Sequence, residues 1–283
     1  MNRPLVYAAL AVTVLSPHLL EYSHVVMTEI PYMALSMLAL WALLRSEREP
    51  RRYDDLNRIM WRFLRRMGEQ VDFSWLHFTL LAVAAYYTRT IGGTLVCAGI
   101  LWLFLHGRSR EALKSAVLSF ALIAAWEIRT MRLVGWDPAA KPYLSQLTQL
   151  DPYHPEQGLA GIWDIGWRFI ENVQAYVFRD VPVAVCPLFA WFDWELICPP
   201  VSWVAWMVID GLLAVYIIRG LWKGALIPIY LMLYFGVLCL WPTVWTCHRF
   251  VIPVIPLLFY GMLRAAWDIA GAIERRVGRE PGP

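Results

Sequence analysis

Long apolar runs alternate with short polar segments along the whole chain, and this alternation constrains the fold more than any other feature. Of the 283 residues, 59% are hydrophobic, and the mean hydropathy is +0.48. A soluble domain is nearer half apolar. The pattern therefore predicts an all-α protein, a polytopic bundle of transmembrane helices.

We expect about eight membrane spans. Several are shorter than the roughly 20 residues that a straight crossing needs. The apolar runs cover about 4–20, 27–44, 73–87, 94–105, 112–126, 201–218, 225–240 and 250–267.

Positive charge indicates how these spans are oriented. If each run crosses the membrane, the arginine-rich segments all fall on one side, which is the cytoplasmic side by the positive-inside rule. These are 45–72, 106–114, 219–224 and 268–283, and both chain termini are then cytoplasmic. The net charge is only +3, and orientation explains the arginine clusters better than nucleic-acid binding does.

Two polar segments are long enough to have structure of their own. Segment 45–72 carries eight arginines and fits either a cytoplasmic amphipathic helix on an anionic membrane surface or a plain loop. Segment 128–200 is rich in Trp and is predicted to form an extracytoplasmic loop or cap, with an amphipathic helix near 162–178. Cys186 and Cys198 lie in it and could pair in an oxidising compartment.

Ionisable residues are concentrated at the predicted outer ends of the spans. The segment SPHLLEYSHVVMTEIP, residues 16–31, carries several of them between two apolar runs. Charged groups at membrane depth are costly, so they mark a functional site by default. The outer-end residues are Glu21, His24, Glu29, Arg89, Glu127, Arg129, His248 and Arg249.

Carboxylates together with arginines suit one kind of chemistry. A carboxylate accepts a proton from a hydroxyl group, and Glu29 is the best candidate for this role. Arginines bind a phosphate and stabilise the charge that develops as it leaves. The alternatives are that Glu29 is a structural ion-pair partner, and that Arg89 and Arg249 only anchor helix ends.

No metal site or other cofactor is predicted. His24 and Glu29 are five residues apart and do not form a convincing metal-binding pair. The cysteine and histidine spacings do not match a zinc site either.

Four motifs, in order along the chain, resemble those of GT-C integral-membrane glycosyltransferases of the protein O-mannosyltransferase and aminoarabinose-transferase type. They are SPHLLEYSHVVMTEIPYMAL, YYTRTIGGTL, AAWEIRTMRLVG and HRFVIPVIPLL. In the third motif, Ala125 replaces the family's Pro and Thr130 replaces its Asn. The whole chain, 1–283, would then be a single GT-C-like membrane domain.

The resemblance implies a function and a location. Such enzymes transfer a sugar from a polyprenyl-phosphate carrier to a lipid, glycan or protein acceptor outside the membrane, here a bacterial inner membrane. Glu29 matches the family's second acidic site, and Arg89 and Arg249 match positions near the carrier phosphate. We expect the other substrate-binding residues to be Glu21, His24, Arg129 and His248.

One departure from the family leaves alternatives open. Members begin with two further spans and an outer loop that holds the main catalytic acid, whereas this chain aligns from a later span. Three explanations fit this departure. The chain is a shortened version of the family, its start is misassigned, or a partner subunit supplies the missing part. The competing functions are a non-catalytic membrane subunit and a transporter or flippase of a phosphate-bearing lipid.

Overall fold

The computed structural model describes residues 28–48, 74–134, 147–186, 199–245 and 248–277. Within these ranges the chain is helical and has no strand, apart from an isolated antiparallel bridge between Gln149 and Leu159. The all-α prediction is thus confirmed. The first predicted run and most of the arginine-rich segment 45–72 lie outside the described residues.

Eight helices of ten or more residues make up most of the described chain. In order they are α1 Glu29–Arg48, α2 Ser74–Thr88, α3 Gly93–Leu105, α4 Ser109–Val134, α5 Ile162–Ala175, α6 Pro199–Trp222, α7 Leu226–Leu240 and α8 Ile255–Val277. A π-helical turn, Tyr176–Asp180, and a short helix, Val181–Val185, follow α5.

Seven of the predicted runs fall on these helices, with two differences at their ends. We predicted that the fifth run ends near Trp126, but α4 continues to Val134. The last run was predicted from Phe250, but α8 begins at Ile255 after two 3₁₀ turns. The second difference follows from Pro253 and Pro256, which lack the N–H that an α-helical bond requires.

Two of the described helical stretches are long and apolar enough to cross a membrane, namely Trp203–Trp222 in α6 and Ile252–Arg275 around α8. The apolar stretches Thr90–Leu105 and Leu226–Leu240 are shorter. The coarse expectation of membrane-compatible helices therefore holds for two stretches, and the count of eight spans stays a prediction.

The helices pack into one bundle around an aromatic core. Helix α1 lies against α2, α3 lies against α4 and α7, and α6 lies against α7 and α8. Six large aromatic side chains are almost completely buried: Trp102, Tyr32, Tyr230, Tyr234, Phe78 and Phe259. Burial of such side chains is a main source of stability in any packed bundle.

Two glycines end helices at the same end of the bundle. Gly107 follows α3 and Gly224 follows α6, both with positive φ. After each glycine a backbone N–H reaches back to a carbonyl five residues earlier, the pattern of a Schellman cap. A Cβ built on Gly224 would lie 3.7 Å from His106 Cε1, so the two turns are neighbours.

Helix α5 is held against the end of α7 by one buried polar side chain. Asn172 on α5 donates hydrogen bonds to the carbonyls of Cys239 and Trp241, at 3.0 and 2.7 Å. These carbonyls belong to the end of α7, where backbone acceptors lack helical partners. The predicted amphipathic helix is therefore present as α5. Cys198 lies outside the described residues, so its pairing with Cys186 stays a prediction.

Substituting Gly99 with Ala should destabilise the bundle. A Cβ at this position would lie 2.0 Å from Phe78 Cζ, and Phe78 is fully buried. Overpacking of this kind costs about 1–3 kcal/mol, more than the ~0.5–1 kcal/mol that Ala gains over Gly in a helix. Thermal unfolding in detergent should show a lower midpoint. Gly236→Ala is the matched control, since nothing lies near its added Cβ, and equal midpoints for both variants would contradict this packing.

Candidate functional site

Three of the predicted site residues meet at one end of the bundle. Arg89 Nη1 lies 2.6 Å from Glu29 Oε1, and Arg249 Nε donates a hydrogen bond to the same oxygen. Glu29 and Arg249 are 220 residues apart in the sequence. One carboxylate oxygen therefore joins three distant parts of the chain.

Glu29 owes its position to the start of α1. It is the first residue of that helix, where a negative charge is favoured by the helix dipole. Pro31 follows within the first turn and is tolerated there, because the N–H groups of this turn have no helical acceptor. The Tyr32 N–H bonds to the Thr28 carbonyl at 3.1 Å and closes the first turn.

Arg89 lies in the short break between α2 and α3. Its backbone is extended, with φ −151° and ψ 129°, and a 3₁₀ turn, Thr90–Gly92, follows. Gly92 allows this turn to pack on the end of α2, since a Cβ there would lie 2.6 Å from the Tyr86 backbone nitrogen. The break is what directs Arg89 toward Glu29 rather than along the helix surface.

Arg249 lies in the 3₁₀ turn His248–Phe250 that precedes α8. Phe250 fixes this turn: its carbonyl accepts a hydrogen bond from the Tyr234 hydroxyl at 2.7 Å. The guanidinium carbon of Arg89 lies 5.0 Å from the centre of the Phe250 ring, within the range of a cation–π contact. Phe250 thus contacts Arg89 directly and anchors the turn that carries Arg249.

Among the described residues, the site joins one carboxylate to two guanidinium groups. Glu29 is 0% exposed, whereas the side chains of Arg89 and Arg249 are 11% and 41% exposed. A buried carboxylate requires paired charges to offset its lost hydration. Arg249 is the most exposed member of this group, so an anion in solution can approach the site from its side.

The second oxygen of the Glu29 carboxylate differs from the first, since no described residue donates a hydrogen bond to it. Oε2 is buried and accepts no hydrogen bond within the part of the chain that the structure describes. Buried carboxylate oxygens are nearly always hydrogen-bonded, so such an atom calls for a donor from outside these residues. A hydroxyl group of a bound molecule would satisfy it.

Sequence reasoning missed a buried tyrosine cluster beneath the site. Tyr32 lies one helical turn after Glu29, and its hydroxyl is 2.9 Å from that of Tyr230. The Tyr32 ring stacks on Tyr234 with centroids 6.5 Å apart. The signal for this cluster was the pair Tyr230 and Tyr234, four residues apart in an apolar run and hence on one helix face.

The other predicted site residues are not joined to this group. Arg129 is exposed and lies 5.4 Å from the Trp126 ring, and no contact links it to Glu29 within the described ranges. Glu127 instead accepts a hydrogen bond from Tyr86 at 2.9 Å. Glu21 and His24 lie outside the described residues, and for His248 only the backbone is described.

A metal centre finds no support in the described ranges. No group of three or more His, Cys, Asp and Glu side chains there lies close enough to hold a metal ion. The described side chains that meet at the site are one carboxylate and two guanidinium groups.

Replacing Glu29 with Gln should lower the free energy of unfolding by roughly 3 kcal/mol. The change keeps the shape but leaves two arginines close together without their counter-charge, as when one partner of a buried pair is removed. Solvent access at Arg249 keeps the loss toward the lower end of that range. Equilibrium unfolding in detergent measures it, with Glu274→Gln on the exposed end of α8 as the control. A loss no larger than the control's would mean that Glu29 does not hold the arginines.

Comparisons with known proteins do not identify the chain. No family model, no curated protein and no solved structure matches the chain. The function must therefore be argued from the site itself.

Proposed function

We propose that this protein transfers a sugar from a polyprenyl-phosphate-linked donor to an acceptor on the extracytoplasmic side of a membrane, as GT-C-like glycosyltransferases do. The observation that carries the proposal is the meeting of Glu29, Arg89 and Arg249 at one end of the bundle. These are the three residues that the sequence motifs had singled out for an acidic site and a carrier-phosphate site.

The proposal includes a membrane bundle of about eight spans with both termini in the cytoplasm. The apolar stretches around α6 and α8 support the membrane location. So do the large apolar side chains that α6 leaves exposed, such as Trp203, Met207 and Val208. Exposed apolar surface of this kind fits contact with lipid.

A phosphate is the anion that this site suits best. Arginine binds phosphate oxygens through two parallel N–H groups, and it stays charged in any surroundings that a protein provides. Arg249 contacts Glu29 through Nε, and its side chain is 41% exposed, so a ligand can approach it from solvent. Arg89, held by Phe250, would lie behind it and stabilise the same phosphate.

The proposed reaction assigns a role to each charged group. The bond between the sugar's anomeric carbon and the carrier phosphate oxygen breaks, and the phosphate keeps the electron pair. A new bond forms between that carbon and the acceptor hydroxyl oxygen. The hydroxyl proton passes to Glu29 Oε2, while Arg89 and Arg249 stabilise the additional negative charge on the leaving phosphate.

Two substitutions test this scheme in one assay. Purified protein in liposomes is supplied with a panel of tritiated hexosyl and pentosyl polyprenyl phosphates, and with native membrane lipids as acceptor. We expect Glu29→Gln to abolish transfer and Arg249→Gln to slow it by about 10- to 100-fold, the loss of one charge-assisted hydrogen bond. Farnesyl phosphate should inhibit the wild type, and it should inhibit Arg249→Gln far less.

Arg132→Gln provides the control, because this arginine lies on the exposed end of α4. Full transfer by Glu29→Gln would overturn the role of the carboxylate. Uptake of the labelled lipid by wild-type vesicles without any transfer would instead indicate a transporter. Equal behaviour of all variants, with no transfer by the wild type, would indicate a non-catalytic subunit.

A further inference from the structure

A large cavity opens at the end of the bundle opposite the Glu29 site. Its volume is about 1340 Å³, and it lies between the end of α6, the start of α7 and the second half of α8. Leu44 of α1 contributes to its wall. This residue comes fifteen positions after Glu29, or about 22 Å further along the helix. The cavity and the Glu29 site are thus separate.

Cationic side chains surround the cavity. Arg219, Lys223 and Arg275 are exposed, and none of the three forms an ion pair with another described residue. A fourth, Arg264, is paired with Asp268 at 3.1 Å. The lining therefore has a net charge of +3 with histidine neutral, and such a concave positive surface attracts anions.

The remaining wall of the cavity is apolar and aromatic. Trp102, Leu226 and Pro228 form part of it. At its rim, Trp222 is 89% exposed and Trp267 is 58% exposed. Tryptophan prefers the boundary between lipid and water, because its ring is apolar and its N–H is polar. A ligand that fits this lining has an anionic head and an apolar body.

The position of the cavity matches the level of lipid head groups. Its walls include the ends of both stretches that are long and apolar enough to cross a membrane, Trp203–Trp222 and Ile252–Arg275. The Schellman turn at Gly224 adjoins it, on the side that the arginine distribution marks as cytoplasmic. The cytoplasmic leaflet is also where anionic phospholipids are concentrated.

We propose that this cavity binds an anionic phospholipid of the cytoplasmic leaflet. Arg219, Lys223 and Arg275 hold the phosphate head group, and an acyl chain lies along the apolar wall between α6 and α8. This inference depends on the membrane location of the chain and is independent of the sugar-transfer chemistry. The bound lipid would bridge α6, α7 and α8 at the membrane surface and stabilise their packing there.

Native mass spectrometry of the full chain, titrated with phosphatidylglycerol or phosphatidylcholine in detergent, tests the proposal. The wild type should retain phosphatidylglycerol and bind phosphatidylcholine at least tenfold more weakly. Each removed cation should weaken phosphatidylglycerol binding by about fivefold. We would compare Lys223→Gln, a single exposed change that is compatible with folding, with the triple variant Arg219→Gln, Lys223→Gln and Arg275→Gln.

Two matched variants separate this site from the rest of the protein. Arg110→Gln removes an exposed charge at the same end of the bundle but outside the cavity, and Arg249→Gln alters the opposite site. Both should keep wild-type lipid affinity. Unchanged phosphatidylglycerol binding in Lys223→Gln and in a folded triple variant would overturn the proposal. Displacement of the lipid by millimolar inorganic phosphate would overturn it too, because the site would then be one for free anions.

Discussion

The buried carboxylate of Glu29 is the interaction on which this end of the molecule depends. One of its oxygens forms an ion pair with Arg89 and accepts a hydrogen bond from Arg249, and it thereby joins α1 to the α2–α3 break and to the turn before α8. Without it, the two guanidinium groups would lie close together without this counter-charge, with Arg89 next to the aromatic ring of Phe250. The same contact places the partly exposed Arg249 next to a buried carboxylate, and the proposed function depends on this pairing.

The charged side chains at the two ends of the bundle differ in burial and in pairing. At the Glu29 end the charges are few, paired and largely buried, above a layer of tyrosines that packs as core. At the other end, Arg219, Lys223 and Arg275 are exposed around an open cavity. Paired and buried charge suits a specific chemistry, whereas open positive charge suits the surface of an anionic leaflet.

Hydropathy predicts much of the architecture, but it does not predict which helices pack against each other in the bundle. Apolar runs located the described helices, and their alternation placed Glu29, Arg89 and Arg249 at one predicted end. It could not separate Arg129 from this group, because hydropathy says nothing about the order of helices around a bundle. The end of α4 was misplaced since Arg129, Met131 and Arg132 favour helix as strongly as the apolar run does. The tyrosine cluster was not predicted, because hydropathy does not distinguish its members from the other residues of the apolar runs.

The contact between the Glu29 and Arg249 side chains is best tested by a double-mutant cycle. The unfolding free energies of Glu29→Gln, Arg249→Gln and the double variant give the coupling between two residues 220 positions apart in sequence. Residues in direct contact couple by about 0.5–3 kcal/mol, and we expect a value in the upper half of that range. Effects that add to within about 0.3–0.5 kcal/mol would mean that the two side chains do not meet.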